Sequence, residues 1–152
     1  MKKILYCFGA IALLSACAKK TEKIESNDTV TSTVTNTNQT DFSGMYNYQE
    51  NGTTVTLQLT VDGNKASGNL MYALKEKDRN SGTFVGEIKD GILLADYTFS
   101  SEGVLSERQV AFKLNDTSAI EGYGDVEQIN GKMVFKDPAN LEYDKGLVLT
   151  KK

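Results

Sequence analysis

The 152-residue chain contains no histidine and two cysteines, Cys7 and Cys17, both within its first twenty residues. Without imidazole there is no histidine general base, no Ser-His pair and no His-ligated metal. No GxGxxG, phosphate-binding loop or calcium-loop spacing occurs. What remains is charge. Read as a three-residue hairpin loop, Ser101-Glu102-Gly103 combines a type I turn with a left-handed glycine. That loop pairs Ser100 with Val104, Thr98 with Ser106 and Asp96 with Arg108. A charge pair flanked by Leu94 and Val110 on an inward face is costly unless mutually satisfied. Such a group has two readings. It closes the polar end of a packed core, or Arg108 anchors an acidic ligand with Asp96, Thr98 and Ser106 beside it. Neither is catalytic, and the reading predicts no catalytic residue, no metal site and no cofactor.

The elements that must position this group read as strands. Val55, Leu57, Leu59 and Val61 alternate with Thr54, Thr56, Gln58 and Thr60, the period of two of a half-buried strand. Similar runs recur at short intervals between DGN, KDG, SEG, NDTS and NG, which predicts an all-β fold, a single antiparallel meander of about eight strands. Treating Lys89-Asp90-Gly91 as another three-residue loop pairs Ile88 with Ile92, and the loop from Asn115 to Ala119 pairs Leu114 with Ile120. The inward face then holds Leu70, Tyr72, Leu74, Phe84, Ile88, Ile92, Leu94, Val110, Phe112, Leu114, Ile120 and Val126.

Gly44, Gly68, Gly86, Gly122 and Gly124 fall on that same face, and strand glycines mark bends or close approaches. A small closed or nearly closed barrel is expected, with Leu147-Val148-Leu149 closing against Phe42 to Tyr48. Eight strands enclose room for side chains or one small ligand, and the bulky inward set is enough to fill it. On the outward face Val85, Tyr97, Phe99 and Leu105 form an apolar patch. It is either a partner site or a surface covered by residues 137–146.

Where the domain resides is written in the first seventeen residues. Lys2 and Lys3 precede an apolar run from Ile4 to Leu14, too short to span a bilayer as a helix, and Leu14-Ser15-Ala16-Cys17 follows. That ending resembles a bacterial lipobox. The resemblance implies a signal peptide over 1–16, cleavage before Cys17, and a diacylglycerol thioether with N-acylation on Cys17. Several acyl chains hold a protein firmly to its membrane. Residues 17–40, rich in Thr, Ser and Asn without aromatics, read as a disordered tether, and 41–152 as the barrel domain. Ala18 and Lys19 carry no inner-membrane retention signal of the enteric type, so the outer membrane is expected. The net charge is −3 with no basic stripe, which excludes nucleic acid as a partner class. The partners left are the membrane, through lipid, and a small apolar or acidic ligand or an envelope protein.

Three stretches, GTFVGEIKDGILLADYTFSSEG, RQVAFKL and EGYGDVEQINGKMVF, resemble a group of small Bacteroidota lipoproteins with no assigned activity. The resemblance implies fold and location and carries no activity. Lipocalins and avidins share only the barrel plan. Asp28-Thr29-Val30 resembles the Asp-Thr/Ser-aliphatic sequon for O-glycosylation in Bacteroidota, which implies a glycan on Thr29.

Overall fold

A computed structural model describes residues 40–152. Cys17, Thr29, the signal peptide and the tether up to residue 39 lie outside the described residues. Ten strands follow one another: β1 (Gly44–Glu50), β2 (Thr53–Asp62), β3 (Lys65–Ala73), β4 (Arg79–Lys89) and β5 (Ile92–Ser101), then β6 (Val104–Leu114), β7 (Ser118–Gly122), β8 (Val126–Ile129), β9 (Lys132–Phe135) and β10 (Val148–Lys151). Strands β1 to β6 each pair antiparallel with the next. β10 fits between β7 and β1, with Val148 opposite Ile120 and Lys151 opposite Tyr46. The result is a closed eight-stranded antiparallel barrel, the architecture that the alternation and turn spacing predict. Closure gives every strand of the ring a neighbour on both sides.

Hairpin β8–β9 stands outside the ring. β9 joins β6 through one parallel bridge, Arg108 to Met133, where β6 has already parted from β7.

The turns correct the predicted register. Asn51-Gly52, Asp90-Gly91, Glu102-Gly103 and Asn130-Gly131 are two-residue loops in which both residues have positive φ. These are type I′ turns, whose twist matches that of the flanking strands. Ser101 therefore pairs with Val104, Lys89 with Ile92, and every partner along both hairpins moves by one residue. A one-residue slip turns a strand over. Slips on both sides of β5 cancel at β6, so β4 and β6 keep the predicted faces and, of these three strands, only β5 inverts.

Leu93, Ala95 and Tyr97 are buried in the core, whereas Ile92 and Leu94, predicted inside, face outward. The same slip at β7 puts Ala119 and Glu121 inside and Ile120 outside, because Leu114 pairs with Ala119. Val126 is exposed on the appended hairpin rather than in the barrel.

Tyr46, Leu57, Phe84, Leu93, Phe112 and Leu149 are fully buried and fill the interior. Burying each such side chain contributes ~1.5–3 kcal/mol. Gly68 and Gly86 do face inward, where an added Cβ would collide with the Gln58 and Leu94 carbonyls of the neighbouring strands. Gly122 and Gly124 do not share that role. They lie beneath Tyr143 and Leu141, from a segment that crosses the outside of β7 and bridges Tyr123 to Glu142.

Candidate functional site

The separation of β6 from β7 leaves a polar group at one end of the barrel. Arg108 belongs to the inward face of β6, and its predicted partner is absent from that face. Tyr97, not Asp96, lies opposite Arg108. The guanidinium carbon sits 4.9 Å from the Tyr72 ring centroid, 5.7 Å from Tyr97 and 5.5 Å from Phe99. Tyr97 and Phe99, two residues apart on one face of β5, stack at 4.9 Å, and Tyr72 leans on Tyr97 at 6.1 Å. Ring quadrupoles attract the cation by ~0.5–2 kcal/mol each but offer it no acceptor. Among the described residues the Arg108 side chain makes no hydrogen bond, and its Nε is buried without a partner.

The neighbouring carboxylate is already occupied. Glu121, on the inward face of β7 and 7% exposed, accepts the Tyr72 hydroxyl at 2.6 Å on one oxygen and the Tyr123 hydroxyl at 2.8 Å on the other. Hydrogen bonds to a charged acceptor are among the stronger ones in proteins. Burial, then the Glu121 charge, pushes the Tyr72 and Tyr123 phenols well up, with the Arg108 charge opposing. Burial lifts Tyr97 to about 12, and its hydroxyl donates to the Leu70 carbonyl at 2.8 Å. All three phenols stay protonated donors across the physiological range.

Two cavities meet at this group. One, of about 250 Å³, lies between the end of β7 and hairpin β8–β9; Arg108, Glu121 and Tyr123 share its lining with Val110, Met133 and Phe135. The other, of about 140 Å³, opens on the far side of the same three residues, toward Tyr72 and Asn80. The hairpin that covers the larger cleft is held lightly. Gln109 Oε1 accepts the Phe135 amide at 3.0 Å, and Lys132 Nζ donates to Asp96 at 2.7 Å.

The remaining predicted positions are scattered. Asp96 points outward and pairs with Lys132, so the Asp96–Arg108 pair is replaced by two unrelated contacts. Thr98 points outward opposite Glu107, and Ser106 lies opposite Phe99 beyond the packed core, exposed. The apolar patch does not exist as predicted. Tyr97 is 0% exposed and Phe99 packs against the core, while Val85 at 65% and Leu105 at 73% remain outside without them. Segment 137–146 covers Gly122 at the end of β7 and Gly124 just beyond it instead.

Sequence reasoning missed Glu121, Tyr123 and the site role of Tyr72. One signal was present, since Glu121 and Tyr123 stand two apart and share a strand face with Ala119. Among the described residues no cluster of three metal-ligating side chains occurs. No protein-family model, no curated protein and no solved structure matches this chain.

Proposed function

We propose that this chain is an exported lipoprotein, anchored at the outer membrane through Cys17, whose barrel binds a small anionic or amphiphilic ligand without transforming it. The observation that carries the binding half is Arg108, a cation held among three aromatic rings at a cleft and given no acceptor. A half-buried cation whose Nε is shut off from water without an acceptor gains by meeting a negative charge. The packed interior argues for a ligand at the mouth rather than one threaded down the barrel axis. Anchoring rests on the Leu14-Ser15-Ala16-Cys17 ending.

Two measurements test the halves separately. Metabolic labelling with a fatty-acid analogue should mark the wild-type chain and not Cys17→Ser; equal labelling rejects the anchor. Titration of the full chain carrying Cys17→Ser with anionic, neutral and cationic small molecules should move Arg108 and Tyr123 resonances with the anions alone. Indifference to every anion rejects the binding site. A protein-binding role is the second reading, favoured by β8, a sheet edge with Val126 and Ile129 exposed. Cross-linking from β8 in whole envelopes distinguishes it.

A further inference from the structure

We infer that the ligand is a compact monocarboxylate with an apolar body, the size of an aryl or branched short-chain acid, seated between the end of β7 and hairpin β8–β9. This inference rests on the binding reading above and narrows it. The cleft exists because the β6–β7 ladder ends at the Ala111–Gly122 pair, after which β6 turns to β9 at Arg108 and Met133. Bridge partners share a face, so Met133 continues the inward face of β6, and Phe135, two residues on, does the same. The pocket therefore has a cationic base and an apolar wall of Val110, Val126, Met133 and Phe135. A guanidinium is a planar fork of donors that matches a carboxylate through two parallel hydrogen bonds.

Size sets the body. A dry cavity of ~150 Å³ holds a benzene, and drug-sized ligands occupy ~300–1,000 Å³. At about 250 Å³ this cleft takes a ring or branched chain and its carboxylate. A long acyl chain has nowhere to continue, because Tyr97, Phe112 and Leu93 are fully buried across the barrel interior. Charge sets the head. Glu121 borders the same cleft with both oxygens committed to phenols, and its negative charge opposes a second negative charge on the ligand. A single carboxylate is favoured over a dianionic phosphate.

The test uses the full chain carrying Cys17→Ser, titrated by amide-resolved NMR with phenylacetate, palmitate, inorganic phosphate and benzylamine. Phenylacetate should saturate at one per chain, moving resonances of Arg108, Tyr123 and Met133, while benzylamine does nothing. Arg108→Gln should weaken binding at least tenfold. Met133→Trp, on the lightly held hairpin, should fill the cleft and weaken it as much with the barrel spectrum unchanged. Binding of phenylacetate that survives both substitutions overturns the inference. Saturation by palmitate or phosphate in place of phenylacetate also overturns it and leaves the anion-binding reading standing. Silence toward all three anions rejects both.

Discussion

Removing the Tyr72 hydroxyl isolates the energetic centre of the mouth. Tyr72→Phe keeps the ring against Arg108 and takes away one of two donors to a nearly inaccessible carboxylate. A hydrogen bond to a charged group contributes ~1.5–3 kcal/mol, and a neutral one ~0.5–1.5. Tyr72→Phe should therefore cost about 2 kcal/mol. Tyr97→Phe, which releases only the Leu70 carbonyl, should cost about 1 kcal/mol. With Glu121→Leu already in place the Tyr72 hydroxyl has lost its acceptor, so its removal should cost nothing or stabilise. The coupling between the two positions should then reach about 2 kcal/mol, beyond the ~0.5 kcal/mol of independent sites. Urea unfolding followed by circular dichroism at neutral pH, with the m value unchanged, measures every corner of the cycle. Additive effects, or a Tyr97→Phe loss equal to that of Tyr72→Phe, would refute the assigned geometry.

Alkaline pH should destabilise the barrel ahead of ordinary surface titration. The Tyr97 phenol, lifted to about 12, and Tyr72, pushed well up by burial, hold their protons more tightly folded than unfolded. Stability is thus intact below the unfolded value of ~10 and lost as pH rises through the folded ones, at up to ~1.4 kcal/mol per pH unit for each phenol. Urea midpoints from about pH 9 to about pH 12 should fall, and fall less steeply in Tyr97→Phe. Glu102 occupies a left-handed turn position that asparagine adopts more readily, so Glu102→Asn should raise stability by about 0.5–1 kcal/mol; a lower thermal midpoint would contradict the type I′ assignment. Asp96→Asn should cost less than ~1 kcal/mol globally, since Asp96 is 47% and Lys132 28% exposed. Amide exchange across Lys132–Phe135 should nevertheless accelerate, and unchanged exchange there would show the pair is not what fastens the hairpin.

Much of the barrel is legible in the alternation of Val55 to Val61 and in the glycine-bearing turns, because period two and left-handed residues each have one strong structural meaning. Register is less legible. Ser101-Glu102-Gly103 suits a three-residue loop by composition, and nothing local forbids the two-residue loop that the chain adopts with Glu102 at φ 49°. The better guide was β5 itself, where Leu93, Ala95, Tyr97 and Phe99 form the more apolar alternate set and Asp96 and Thr98 stand opposite. β7 misleads for the reverse reason. Ile120 looks like core and Glu121 like surface, yet Ile120 is covered by Gly146 from outside and Glu121 is satisfied by phenols from β3 and from its own strand's extension. Tyr72 and Glu121 are 49 positions apart, and only the closed ring brings them together.

The way the ring closes sets an order in time. Seven strands lie beside their sequence neighbours and can zip up hairpin by hairpin. The eighth is different, because Lys151 reaches Asp41 across 110 residues and the Lys152 amide reaches Met45. Until β10 arrives, β1 and β7 face each other as two open edges, the arrangement most exposed to mispairing and aggregation. The piece that seals them is four residues long and carries one fully buried side chain, Leu149. A seam so short and so late acts as a latch. Truncation before Leu149, or a polar residue in its place, should leave a curled seven-stranded sheet that never becomes a barrel.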